Sequence, residues 1–151
     1  MTFETQMFDN GVQGRRKPAL SVLIPFQRND PTALLAGLAR LDAAMDVVLL
    51  DNGSGDDARA ASLMEAMLSL KHACRLVRLP AKLSWAMARN RLAVEARAER
   101  RLFVDVGAPN ACELLRRTLA MIEREEAAAS RPRAMARGVR ASAPMSAAAA
   151  A

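Results

Sequence analysis

The sequence has few of the residue types that build metal knuckles, disulfide frameworks and histidine-based catalytic sites. It contains two cysteines, Cys74 and Cys112, and one histidine, His72. Two cysteines so far apart have no metal-binding spacing, and they predict buried free thiols. A lone histidine without a partner pattern predicts a structural or surface role. Neither observation supports a Cys/His metal site or a disulfide-stabilised secreted fold.

Long apolar runs and aromatic residues are also scarce. No stretch approaches the roughly 20 continuous apolar residues that span a bilayer. The N-terminus lacks the cationic region followed by an apolar one that marks a signal peptide. These absences predict a cytoplasmic protein without a transmembrane segment. With four Phe and one Trp among 151 residues, the core must be mainly aliphatic, and the length suits one core.

The positive charge is concentrated at the C-terminal end. The net charge is +6, but residues 130–151 carry four arginines and no acid. Without these four, 18 of the 22 basic residues stand against 16 acidic ones, a net charge of +2. Nucleic-acid binding needs cations clustered on a folded face, so it is not favoured. A tail that tethers the chain to nucleic acid or an anionic membrane remains an alternative.

Four short apolar runs predict four strands, and they alternate with helical patterns. The runs lie at 19–26, 46–52, 74–80 and 101–106. Near-continuous apolarity in the first, second and fourth indicates strands buried on both faces, as in parallel sheets. The resulting order is βαβαβαβα. It predicts an α/β fold of the Rossmann-like, doubly wound class with a mainly parallel sheet.

Helix starts are marked by capping residues. Asp30 followed by Pro31 predicts the first helix, Ser84 caps the third, and Asn110 precedes the fourth. The second helix is expected over 57–70, with Met64, Met67 and Leu68 buried.

The composition divides the chain into three parts. Residues 1–17 are polar and predict a flexible leader, and 18–129 carry the strand and helix patterns. Residues 130–151 consist almost entirely of Ala, Arg, Ser, Pro, Met and Gly, which predicts a disordered tail.

Polar residues follow three of the predicted strands. In a doubly wound sheet, the carboxyl ends of the strands form the crevice where ligands bind. Pro25 and Phe26 end the first strand, Asp51 and Asn52 end the second, and Asp105 ends the fourth. Turn and helix-cap chemistry alone also explains 51–57. The coincidence of three strand ends favours a binding site over that simpler explanation.

Four motifs in order resemble the family 2 glycosyltransferases and their GT-A fold. They are "SVLIPFQRND", "LLDNGSGDD", "LSWAMARNRLAVEA" and "LFVDVGAPN". The last stands where the family has a strand ending in a carboxylate-any-carboxylate metal signature. The resemblance covers about residues 19–126 and implies a GT-A-like nucleotide-sugar-binding half domain.

The resemblance also implies roles for individual residues. Asp51 would contact the base or ribose of a donor, Pro25 would shape the base pocket, and Arg89 would lie near the diphosphate. A carboxylate accepts from a ring N–H and so suits a UDP-sugar. Asp105 would help to hold Mg²⁺ or Mn²⁺. The donor-binding set implied in this way is Pro25, Phe26, Asp51, Asn52, Arg89 and Asp105.

Two departures from the family pattern predict impaired or absent glycosyl transfer. Gly107 occupies the position of the second acid in the metal signature, so the motif is degenerate. The later strands of the family and its acceptor-activating carboxylate have no counterpart in the sequence, which predicts a truncated donor-binding half with no assigned catalytic residue.

Other functions and other residues stay open at this level. A non-catalytic α/β module would bind through the same crevice or form a homo-oligomer through an open sheet edge. Trp85 suits either stacking on a base or packing under a loop. Arg28 suits either phosphate attraction or a solvated surface charge.

Overall fold

The computed structural model describes residues 4–14 and 17–131, and within them the chain forms an α/β fold. The strands are β1 (Gln6–Asp9), β2 (Leu20–Phe26), β3 (Met45–Asp51), β4 (Ala73–Arg78) and β5 (Arg101–Phe103); the helices are α1 (Thr32–Leu38), α2 (Asp57–Leu68), α3 (Trp85–Glu95) and α4 (Ala111–Ala129).

The strands form one sheet in the order β1-β4-β3-β2-β5. β2 pairs in parallel with both β3 and β5, and β3 pairs in parallel with β4. The predicted α/β class is confirmed, since the mostly parallel sheet and four helices are consistent with a Rossmann-like half domain. The four predicted strands are present in their predicted order.

The two central strands are buried on both faces, as their continuous apolarity predicts. Six of the seven residues of β2 and all seven of β3 are buried. On one face, Val77 of β4 clusters with Ala88 and Leu92 of α3. The next residue, Arg78, donates to Asp57 of α2. Because successive side chains of a strand point to opposite faces, α3 covers one face and α2 the other.

β1 corrects the prediction of a flexible leader over residues 1–17. Gln6–Asp9 pairs antiparallel with β4, and Phe8 lies opposite Leu76. Asn10 extends this attachment, because its side-chain amide donates to the carbonyls of Met67 and His72. The strand is short and mostly exposed, so its sequence carries no apolar alternation that would have predicted it. Tertiary pairing with β4 forms it.

The predicted cap of α3 is confirmed, whereas the N-cap position of α1 is Pro31, with no side-chain cap hydrogen bond. Ser84 caps α3 by accepting the N–H of Met87. α1 begins at Thr32, with Pro31 at the N-cap position. The Asp30 carboxylate accepts from the Thr32 hydroxyl and N–H at 2.6 and 2.9 Å. These two bonds lower the pKa of Asp30, with the hydroxyl as the larger cause.

α2 ends two residues before its predicted limit. Met67 is buried as expected, together with Leu63, whereas Leu68 is 65% exposed. The predicted face was therefore wrong for Leu68, which is the last residue of the helix.

The chain divides into two compact units, Met1–Leu119 and Ala120–Ala151. The first contains the whole sheet and α1 to α3. The described part of the second is the C-terminal part of α4 and residues 130–131. Residues 132–151 of the predicted disordered tail lie outside the described residues. Across 4–14 and 17–131, no helix has the length and apolarity needed to cross a membrane.

A buried ionic network joins β2, β3, β4 and the C-terminal end of α3. Asp46 is 1% exposed, and its carboxylate accepts from the Ser21 hydroxyl at 2.8 Å and from the Arg97 N–H at 2.9 Å. Arg75 donates to the Asp46 carboxylate, and it also donates to the side chain and carbonyl of Glu95. The network fixes the end of α3 to three strands.

We predict that Asp46→Ala lowers the free energy of unfolding by about 3 kcal/mol, because it leaves a buried guanidinium without one of its partners. Urea denaturation measures the change. The matched control is Asp42→Ala, which removes an exposed carboxylate paired with Lys71 and should change stability little. Equal effects of the two substitutions would contradict the structural role of the network.

Candidate functional site

The sheet changes winding direction between β2 and β5. From β2 the chain passes through β3 to β4 on one side, and α3 then carries it back across the sheet to β5 on the other side. Because β2 and β5 are parallel neighbours, the loops after them lie side by side at this reversal. In open α/β sheets, ligands bind at such a switch point, outside the carboxyl ends of the strands.

A cavity of about 500 Å³ opens at this switch point, and we call it the switch-point cleft. Its lining residues are Pro25, Trp85, Arg89, Phe103, Val104 and Asp105. A second cavity of about 250 Å³ shares Pro25, Trp85 and Asp105 with it. We call this one the adjoining cavity, and its other lining residues are Phe26, Gln27, Arg28, Asn29 and Val106.

Arg89 supplies the cleft with a positive charge. Its guanidinium lies over the ring of Phe103, 4.4 Å from the centroid, where a cation is attracted to the aromatic face. Within 4–14 and 17–131, no hydrogen bond or ion pair engages the Arg89 side chain. The guanidinium is thus oriented by the ring while its N–H donors remain available for an anion.

Trp85 supplies an apolar surface at the mouth of both cavities. It is the first residue of α3, directly after the Ser84 cap, and it is 50% exposed. Large aromatic side chains are usually buried more fully unless they meet a ligand or partner. Trp85 is the single tryptophan of the sequence, so its fluorescence reports on this cleft alone.

The loop after β2 is held in place from α2. The guanidinium of Arg59 donates to the carbonyls of Gln27 and Arg28 at 2.8 and 2.9 Å. These bonds fix the backbone of the loop whose residues Gln27 and Asn29 line the adjoining cavity. Arg28 itself is exposed there, so it adds a second cation to the region.

Asp105 lies in both cavities, as the sequence predicts for the end of the fourth strand. It is exposed, and its Oδ1 accepts the N–H of Gly107 at 2.9 Å. A side chain at position 107 would begin 3.6 Å from that oxygen and 3.4 Å from Nδ2 of Asn29. A side chain at position 107 would therefore start beside Asp105.

The carboxylates present do not form a metal site on their own. Across the described residues, no three His, Cys, Asp or Glu side chains are grouped so that they could hold a metal ion. Asp105 is the one carboxylate lining the two cavities. One carboxylate fits Mg²⁺ only where substrate phosphates and waters complete the coordination shell.

Asp51 lies at the same edge of the sheet but on the opposite face. Leu50 packs with α3, so the next side chain along the strand points to the face of α2. Asp51 is 3% exposed, and it accepts the N–H and hydroxyl of Ser54 at 2.9 and 2.7 Å. Nε of Arg78 lies 3.7 Å from Oδ2 of Asp51. Asp51 closes the turn after β3, and it lines neither cavity.

Asn52 and Phe26 also differ from their expected placement in the cleft. Asn52 is fully buried, and its amide bonds the backbone of Leu83. Phe26 is 2% exposed and lines the adjoining cavity only. Of the six predicted donor-binding residues, the structure brings Pro25, Arg89 and Asp105 together in the switch-point cleft. The sequence did not indicate Phe103, because an apolar residue in a strand predicts core packing.

The cysteines and the histidine lie outside both cavities. Both cysteines are free thiols, as predicted; Cys74 is buried, whereas Cys112 is only partly buried. Burial raises the pKa of the Cys74 thiol to about 12, so the thiol stays protonated and inert. His72 is buried, with Nε2 3.1 Å from the carbonyl of Leu38. Burial is the main cause that lowers its pKa, so the ring is neutral and structural.

Comparisons with known proteins show similarity in structure and no match in sequence. No protein-family model matches the chain, and no curated protein matches it in sequence. Among solved structures, the chain is similar to the mannosyltransferase PcManGT from Pyrobaculum calidifontis in complex with GDP-Man and Mn²⁺. The TM-score is 0.49 at 20% identity, and the match covers 64% of this chain and 30% of that one. The chain therefore spans less than a third of that enzyme.

We predict that Gly107→Asp creates Mn²⁺ binding, because the Cβ of the new side chain would lie 3.6 Å from Oδ1 of Asp105 and a second carboxylate would join the first. The backbone of Gly107 lies outside the left-handed region that favours glycine, so the substitution adds no strain. Titration calorimetry with Mn²⁺ alone measures the effect. Gly107→Asn has the same shape without the charge and is the control. If the two variants bind Mn²⁺ equally, position 107 does not complete a metal site.

Proposed function

We propose that the chain is a glycosyltransferase-like domain that binds a nucleotide-sugar donor in the switch-point cleft. The observation that carries the proposal is the Arg89 guanidinium, which lies over Phe103 and lines the same cavity as a half-exposed Trp85. A cation beside an apolar surface matches a nucleotide, whose phosphates are anionic and whose base is flat and apolar. The order of the four sequence motifs supports the same assignment and its GT-A-like character.

Arg89 is assigned to the diphosphate. A guanidinium offers N–H donors in a planar fork that matches two phosphate oxygens, and such charged hydrogen bonds are stronger than neutral ones. Because Phe103 already orients the group, little side-chain freedom is lost on binding. Arg28 lines the adjoining cavity and adds long-range attraction for an anion.

Trp85 and Pro25 are assigned to the base. They line both cavities, and a ring stacked on the indole would cover its exposed half. A volume of about 500 Å³ falls within the roughly 300–1,000 Å³ of small-molecule sites. The cleft is thus large enough for a nucleoside diphosphate.

The identity of the base depends on different residues from those expected. Asp51 was the reason to expect a UDP-sugar, and its carboxylate is buried on the other face. Gln27 and Asn29 line the adjoining cavity, and a side-chain amide both donates and accepts. These side chains suit the edge of a uracil or a guanine, so UDP remains one candidate and GDP a second.

A divalent metal, Mg²⁺ or Mn²⁺, belongs to the proposal only together with the donor. Asp105 would hold it, with diphosphate oxygens and water as the remaining ligands. Such an ion offsets the negative charge of the diphosphate. The residues lining the two cavities offer no other carboxylate. A general base for an acceptor hydroxyl is therefore not assigned, and the proposal concerns donor binding with transfer impaired.

A second candidate function is a non-catalytic module that self-associates through the sheet edge. β5 has three residues and pairs with β2 on one side. Among the described strands it has no partner on the other side. Unpaired backbone groups at an edge are a template for a second chain. Light scattering after size-exclusion chromatography tests this function, and a monomer at all concentrations would contradict it.

We predict that UDP or GDP binds in the presence of Mn²⁺, and that Arg89→Ala weakens binding about 10- to 100-fold, as expected for loss of charged hydrogen bonds. Titration calorimetry measures both affinities. Arg117→Ala removes an equal charge from an exposed ion pair outside the cleft and should leave the affinity unchanged.

Two results would contradict this proposal. The first is the absence of binding by either nucleotide at millimolar concentration. The second is equal affinity of Arg89→Ala and Arg117→Ala, because a nucleotide that bound elsewhere would sense only the loss of charge.

A further inference from the structure

Asn52 joins the two walls of the switch-point cleft. Its backbone N–H donates to the carbonyl of Phe26 at 2.8 Å, at the end of β2. Its side-chain amide donates to the carbonyl of Leu83 at 3.0 Å and accepts the N–H of Leu83 at 2.8 Å. Both polar atoms of the Asn52 amide thus bond the backbone of Leu83, and Asn52 is fully buried. One residue thus fixes the strand of one wall to the segment that leads into the other.

Gly53 brings the backbone itself against the same segment. It has a φ of +74°, a conformation that residues with a Cβ rarely adopt. A Cβ at this position would lie 2.4 Å from the N of Lys82 and 2.6 Å from the carbonyl carbon of Ala81. Those atoms are backbone, so they cannot turn away as a flexible side chain would. Any larger residue would push residues 81–82 outwards.

The fixed segment leads directly into the residues of the cleft. Leu83 is followed by Ser84, whose hydroxyl caps α3, and then by Trp85 as the first helical residue. Arg89 lies four residues later, on the same face of the helix. A displacement of Leu83 would therefore move Trp85 and Arg89 together, away from Pro25 and Phe103.

We propose that Asn52 and Gly53 are positioning residues that set the place of Trp85 and Arg89 in the switch-point cleft. They act through residues 81–83 and do not touch the ligand. The placement of Trp85 is a property of the free protein. The consequence for nucleotide affinity rests on the proposed function, so the two are measured separately.

The free protein is tested first, by acrylamide quenching of the single tryptophan. Gly53→Ala should make Trp85 more accessible and raise the quenching constant. The matched control is Gly55→Ala, because Gly55 also has a positive φ, +65°, but an added Cβ meets nothing within 4 Å. Both variants carry backbone strain, and only the first displaces residues 81–82. Equal quenching in the two variants would overturn the proposal.

The hydrogen bonds are tested by a second matched pair. Asn52→Ala removes two bonds to Leu83, and Asn10→Ala removes bonds from a similar amide to Met67, His72 and Cys74. Asn10 lies at the opposite end of β4. Only Asn52→Ala should raise the quenching of Trp85, although both variants lose stability. Similar quenching in both would show a general loosening and overturn the positioning role.

A measurement on the unchanged protein covers the case in which a variant does not fold. The N–H of Leu83 donates to a buried amide, so its hydrogen exchange should be slowed as in the neighbouring strands. Exchange of Leu83 at the rate of an exposed loop would overturn the proposal without any substitution.

Nucleotide affinity then separates this inference from the proposed function. If UDP or GDP binds, Asn52→Ala and Gly53→Ala should weaken it about tenfold, as is usual when a supporting residue is lost, while the Asn10 and Gly55 controls retain it. If the unchanged protein binds neither nucleotide, the proposed function fails and the quenching results still decide the positioning role. If binding is present and unaffected by both variants, the inference fails alone.

Discussion

The parallel pairing of β2 with β3 is the interaction on which the rest of the structure depends. Seven residues of each strand lie in register, from Leu20 opposite Met45 to Phe26 opposite Asp51. Parallel strands require crossover helices, which place α1 to α3 on the two faces. The pairing also makes both strands end at one edge. The cleft, the turn closed by Asp51 and the hydrogen bonds of Asn52 all lie at the carboxyl ends of these strands.

Most of the fold could be predicted because burial leaves a strong trace in sequence. Continuous apolar runs gave β2 and β3, and capping residues gave the start of α3. β1 left no such trace, because four mostly exposed residues are ordered only by pairing with β4. Leu68 shows the same limit at a helix end, where periodicity alone does not tell which turn is the last.

The sequence predicted that the candidate site lies at the carboxyl ends of the strands, but it did not predict on which face of the sheet. Strand ends located Pro25, Asp51 and Asp105 at one edge. Neighbouring residues of a strand point to opposite faces of the sheet. Asp51 therefore points to the face away from the cleft, where it closes the turn after β3. Phe103 was not recognised because its apolar character fits the core equally well. Its role became visible only through the position of Arg89 above the ring.

The helix that carries Trp85 and Arg89 is attached at both ends. The Asp46 and Arg75 network fixes its C-terminal end, and Asn52 fixes the segment before its first turn. A helix that is attached at both ends has little freedom to move when a ligand binds. The heat and entropy of binding should then come from contacts and displaced water, with little contribution from ordering of the protein. In this respect α3 is a fixed wall of the cleft and not a mobile lid.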